Sequence, residues 1–148
     1  MSVVALKRVT EYRAKVLELY NDVRAWLADA GLGSTVEEIP WSVREDPPGE
    51  YEVPSLRISM AGRDQVVLEP KGRFIVAALG RIDIASRKGR EVLVLLPNVG
   101  VDFDDEEDLP ESVINLSDCE WIWVESKVKP SKHTLDPDLF LRLLQVLS

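Results

Sequence analysis

One cysteine and one histidine are all that this 148-residue chain holds of the two side chains on which most thiol, zinc and acid–base chemistry rests. A lone Cys119 excludes an intrachain disulfide and any cysteine-based zinc cluster within one chain, and it suits a reducing compartment. A lone His133 leaves Cys119 and His133 as the one thiol–imidazole dyad available to a hydrolase. The plainer reading makes His133 a solvated residue of the polar connector Lys129-Pro130-Ser131-Lys132-His133 and Cys119 a small core residue. No apolar run approaches the roughly 20 residues needed to cross a bilayer, and no secretory signal opens the chain, so a cytoplasmic protein without membrane partners is expected. No glycine-rich loop follows a strand and opens a helix, which leaves nucleotide cofactors without support; no cofactor and no metal are expected. Internal repeats are missing at every period.

Acid outweighs base, with 26 Asp and Glu against 18 Lys and Arg and a formal net charge of −8, but the two signs are segregated. Between residues 57 and 90 there are eight basic residues and only three acidic ones, Asp64, Glu69 and Asp83. Between 101 and 120 there are nine carboxylates and no base; the densest part is Asp102, Asp104, Asp105, Glu106, Glu107 and Asp108. Like charges at this density resist burial, so the run is expected to be a surface loop able to steer a basic protein partner toward the chain. It is not a calcium loop of the EF-hand kind, because Glu107 stands where that loop needs glycine and Val113 where it needs its closing glutamate. The basic segment includes the hairpin tip Arg87-Lys88-Gly89-Arg90, with Arg57, Arg73 and Arg81 nearby in the pattern. It has neither interleaved stacking aromatics nor a recognition helix, which argues against nucleic acid.

Elements follow from periodicity. Ala5, Val9, Tyr12, Val16, Leu19, Val23, Trp26 and Ala30 recur at alternating intervals of three and four, predicting a long amphipathic helix ended by Gly31 and Gly33, with Glu11 and Lys15 spaced for an ion pair. This stripe can cover a sheet, or pair two copies into a homodimer through the N-terminal helix. Residues 36–44 read as an edge strand interrupted by Pro40. The centre, 56–96, reads as an antiparallel meander with runs 56–60, 65–69, 74–85 and 91–96. Turns at 61–64, 70–73 and 86–90 separate them, each holding a glycine. Gly80 marks a bend that leaves Ile82 and Ile84 on one face and Arg81 and Asp83 on the other. Residues 113–116 suggest a short strand, and 120–128 an interior one, with Trp121 and Trp123 pointing one way and Ile122 and Val124 the other. Residues 130–134 read as a connector. Asp136 then caps a final helix with Pro137 in its first turn.

Glu69-Pro70-Lys71 matches the E-x-K half of a magnesium-nuclease signature, in which two acids hold the metal and the lysine assists the attacking water. Over those residues, and in its helix-then-meander order, the chain resembles the PD-(D/E)xK nucleases, a resemblance that implies metal-dependent cleavage by Glu69 and Lys71 with Asp46 or Asp64 as the missing acid. Asp64 falls in the preceding turn, Asp46 in a proline loop, and Pro70 interrupts the strand that presents the pair in that family.

One domain spanning 1–148 is expected. Its fold class is α+β, a single, mostly antiparallel sheet of about five to seven strands with a long N-terminal and a short C-terminal helix packed on one face. The function expected first is a small protein-binding module, immunity-, antitoxin- or adaptor-like, that meets a basic partner through the acidic loop and the uncovered sheet face. The nuclease is the alternative.

Overall fold

The computed structural model describes residues 3–45, 49–72, 79–97, 115–125 and 131–148. Helix α1 (Val3–Ala30) buries Val9, Tyr12, Val16, Leu19, Tyr20, Val23 and Leu27, while Trp26 is half-buried and Ala30 exposed. The expected stripe therefore slips by one position in its second half. A straight helix of 3.6 residues per turn rotates about 20° per heptad away from a 3.5 repeat, so the buried line moves from 26 to 27. The ion pairs shift as well. Glu11 joins Arg8 at 3.0 Å and Lys7 at 3.8 Å, and Lys15 joins Glu18 at 3.4 Å, in place of Glu11 with Lys15. Gly31 closes the helix at φ 66°.

Among the described residues nine strands follow: β1 (Thr35–Ile39), β2 (Ser42–Glu45), β3 (Gly49–Glu52), β4 (Ser55–Ser59), β5 (Val66–Gly72), β6 (Arg81–Ser86), β7 (Gly89–Pro97), β8 (Cys119–Val124) and β9 (Lys132–Thr134). Seven form one sheet in the order β1-β4-β5-β6-β7-β8-β9, every neighbour antiparallel, and β2 pairs with β3 in a small second sheet. The run expected as one edge strand is thus two strands in two sheets. Pro40 lacks the amide that would continue the ladder, and Pro54 stands at the matching place in the opposite arm. Between them the Val53 N–H donates to the Trp41 carbonyl at 3.1 Å, so β1–β2 and β3–β4 are the two arms of one bent hairpin. Its outer half turns onto the end of β5. There the Trp41 indole N–H donates to the Pro70 carbonyl at 2.8 Å, and the Arg13 guanidinium to the Glu52 carbonyl at 3.0 Å. Gly72 lies beneath it at φ 113°, where a Cβ would overlap the Glu45 carboxylate.

Three more expectations change. The turn expected at 70–73 does not form at 70–72, because β5 runs through Pro70 to Gly72, and Arg73 lies outside the described residues. A register shift between those residues absorbs the missing amide, and bulges are where sheets tolerate proline. Leu116 opens a short 3-10 turn (Leu116–Asp118) instead of ending a strand; residues 113 and 114 lie outside the described residues. Strand β9 forms where a connector was expected, pairing His133 with Trp123; it is short, polar and exposed at all three positions, so it carries no apolar alternation to reveal it. The part of the run 74–85 before residue 79 also lies outside the described residues.

One face of the large sheet presents Leu56, Ile58, Val66, Leu68, Ile82, Ile84, Leu93, Leu95 and Trp121, all buried in a single core with both helices. Helix α2 (Pro137–Leu147) begins where the Asp136 carboxylate accepts the Leu139 N–H at 2.7 Å. It adds Leu139, Phe140, Leu143, Leu144 and Leu147 to that core. Trp26 and Phe140, with ring centroids 5.6 Å apart, join the helices. Hydroxyls pin α1 to the sheet: Tyr20 donates to the Pro54 carbonyl at 2.6 Å, and Tyr12 donates to the Arg81 carbonyl at 2.7 Å while accepting the Gly72 N–H at 3.2 Å. Burial pushes both phenols well above their ordinary range, so they stay protonated donors. The result is an α+β fold with an antiparallel meander and both described helices on one side. Among the described residues no helix is long and apolar enough to cross a membrane.

Candidate functional site

The face turned away from the helices is set by strand alternation. Because Ile82, Ile84 and Leu93 point into the core, their neighbours Arg81, Asp83, Val92 and Val94 point out, joined by Glu69 on β5 and Ile122 and Val124 on β8. The tight turn Arg87-Lys88 between β6 and β7 fixes this register by pairing Ser86 with Gly89. It thereby brings Arg90 back beside Ala85, within reach of Asp83 and Glu69.

Glu69 and Asp83 lie directly opposite each other on β5 and β6, an arrangement that repels when both are ionised. Arg90 bridges them, its Nη1 standing 2.8 Å from Glu69 Oε1 and 2.8 Å from Asp83 Oδ2. Arg81 grips Asp83 from the other side with two bonds, 2.6 Å and 3.1 Å. Lys71 Nζ lies 3.5 Å from Glu69 and 5.5 Å from the centre of the Trp41 ring. Burial alone would raise the Asp83 carboxyl, but hydrogen bonds from Arg81 and Arg90 outweigh it and hold the group below its usual range. The bonds to Asp83 and Glu69 raise Arg90 in turn.

Glu69 and Lys71 of the nuclease signature are therefore neighbours, and a second acid does stand beside them. It is Asp83, which sequence reasoning placed on this face without assigning it to the pair. The signal was the alternation Arg81-Ile82-Asp83 and the tight turn that returns Arg90, and it becomes a constellation only once β5 and β6 are paired. Asp64, the acid expected from the sequence, turns away to Arg87 at 3.1 Å, and Asp46 lies outside the described residues. Chemically the cluster is an ion-pair lattice. Both Asp83 oxygens and Glu69 Oε1 are already bound by guanidinium groups, and among the described residues no group of three or more His, Cys, Asp or Glu is placed to hold a metal.

Beside the lattice runs an apolar strip of half-buried Val92, Val94, Ile122 and Val124, continuing to buried Leu96. Neither described helix covers it. The six acids Asp102, Asp104, Asp105, Glu106, Glu107 and Asp108 lie outside the described residues.

Cys119 and His133 do not form a dyad. Cys119 pairs with Pro97 and His133 with Trp123, four residues along β8, roughly 13 Å at the rise of a strand. The thiol is buried, donates to the Asn115 carbonyl at 3.6 Å and is pushed up to about 11 by desolvation, so it is not a nucleophile at neutral pH. His133 instead contacts Ser131 Oγ at 3.0 Å and Glu125 Oε2 at 2.9 Å through the same nitrogen, Nε2. A hydrolytic triad needs its acid and its nucleophile on opposite ring nitrogens, so this trio is not one. Trp121 is in the core, Trp41 caps β5, and Trp123 lines a groove with His133.

The geometry defines the class of the molecule as an α+β fold built on an antiparallel meander. Comparisons of the chain with protein families, with curated proteins and with solved structures find no match.

Proposed function

We infer that this chain is a small protein-binding module of the immunity-, antitoxin- or adaptor-like kind, meeting its partner with the sheet face opposite the helices. The observation that carries the reading is the strip Val92, Val94, Ile122 and Val124, apolar side chains on a face that neither described helix covers. Charged residues at its border, with apolar residues inside, is the anatomy of a protein interface. In this reading the acidic run 102–108 draws in a basic partner, and the setting is cytoplasmic, in keeping with a single buried cysteine thiol. Any pairing of two copies through α1 has to use the helix's solvent side, because its apolar stripe is in the core.

The test is affinity capture from the native cytoplasm with wild type, with Ile122→Lys and with the acids at 102–108 neutralised, each variant first shown to melt as wild type does. A protein held by wild type and lost from both variants supports the reading. Retention by all three, or capture of nothing by wild type, overturns it.

A second reading rests on the convergence of Glu69, Asp83 and Lys71. Magnesium-dependent cleavage of DNA or RNA that disappears in Glu69→Ala would support a nuclease. No cleavage with magnesium or manganese across several substrates rules it out. The guanidinium groups already seated on both carboxylates favour the binding module.

A further inference from the structure

On the helix side of the sheet, where the ends of α1 and α2 meet the turn between β4 and β5, lies a groove of about 260 Å³. Register and helix spacing decide what faces it. Met60 continues the inward series of Leu56 and Ile58 past the end of β4, and Leu144 and Gln145 follow Leu141 by three and four places, on one face of α2. Leu32, just beyond α1, lines the groove as well and is still 45% exposed, so its apolar wall is open to solvent. The flexible thioether of Met60 lets such a wall adapt to the shape of a hydrocarbon.

Among the described residues, Arg63 is the only charged side chain that lines this groove, and no carboxylate side chain does. The neighbouring charges are engaged elsewhere. Asp64 turns its carboxylate to Arg87 at 3.1 Å. The negative end of α2, at the Ser148 carbonyl, is served by the Asp64 N–H at 3.1 Å and by Lys88 Nζ at 2.9 Å. The Arg63 guanidinium, carried on an exposed turn that Gly62 shapes at φ 74°, makes one long bond, from Nη1 to the Ser148 hydroxyl at 3.5 Å, and no ion pair among the described residues. That bond places the guanidinium at the groove and leaves its planar fork free for a carboxylate.

We propose that this groove binds a small carboxylic acid with an unbranched hydrocarbon chain, of the medium-chain fatty acid class. The chain lies against Leu32, Met60, Leu141 and Leu144, and the carboxylate takes the free fork of Arg63. A volume just below that usual for drug-sized ligands fits one such chain and not a two-chain lipid. This site is on the opposite side of the sheet from the outer face and does not depend on the partner proposed there.

The experiment is an NMR titration of the full chain, labelled with ¹⁵N and with ¹³C at the methionine methyls, using octanoate, octanol and acetate as probes. The Met60 methyl and the Gln145 amide are read, and the Trp123 indole and the His133 amide, by the other end of α2, serve as controls. Saturable octanoate shifts confined to the groove are expected. Octanol binds about tenfold more weakly, as the loss of a charged hydrogen bond implies, and acetate more weakly still for want of the chain. Arg63→Gln, an exposed change first shown to melt as wild type does, weakens octanoate by about tenfold and leaves octanol unchanged. Absence of saturable octanoate shifts overturns the proposal, as does octanoate binding no tighter than octanol or equally tight in the variant.

Discussion

Two guanidinium groups converge on Asp83, a carboxylate only 2% exposed, and hold it below the ordinary range. Its stabilising effect has a definite sign with pH. A depressed folded value contributes fully above the unfolded carboxylate pKa, about 3.9, and is lost as the pH falls through the folded value. Asp83→Asn is therefore expected to lower stability by about 1–2 kcal/mol at pH 7, a modest figure because Arg81 and Arg90 are partly in solvent. The gap between variant and wild type closes as the pH drops toward 2. Urea denaturation at both pH values reads this, and a gap that persists in acid would show that the loss is one of packing and not of charge.

At the level of elements, α2 was legible because three local signals agree: a capping aspartate, a proline in the first turn and apolar residues on one face. Asp136→Ala is expected to cost about 1 kcal/mol, seen as a lower thermal midpoint, while Asp136→Asn retains most of the cap. Strand β5 was misread at its end because Pro70 is a stop signal in isolation. The bulge before Gly72 and the indole of Trp41, 29 residues earlier in the chain, make it tolerable, and neither is visible locally. Strand β9 was missed for a different reason. An exposed edge of three polar residues is held by its backbone pairing with β8 and leaves no side-chain pattern. Residue pairs such as Glu69 with Asp83 were hidden in the same way, since they exist only once register is set. The types of the residues were legible in the sequence, and their convergence was not.

For the whole molecule, the sheet has a protected centre and vulnerable margins. Strands β5, β6 and β7 are flanked on both sides and packed over the core, so their amides should exchange most slowly with deuterated solvent. The amides of β9 and of the β2–β3 hairpin should exchange first. A pattern with β9 as slow as β6 would show that the margin is clamped by something beyond the contacts described. The tie between Tyr12 and Arg81 spans 69 residues and has a consequence for biogenesis. Helix α1 is synthesised before every strand it packs against, and at translation rates of about 5–20 residues per second its apolar stripe waits several seconds for a sheet to cover it. During that interval the nascent chain offers a solvent-exposed amphipathic helix as a substrate for chaperones, and the yield of folded protein in the cell is set in part before the meander exists.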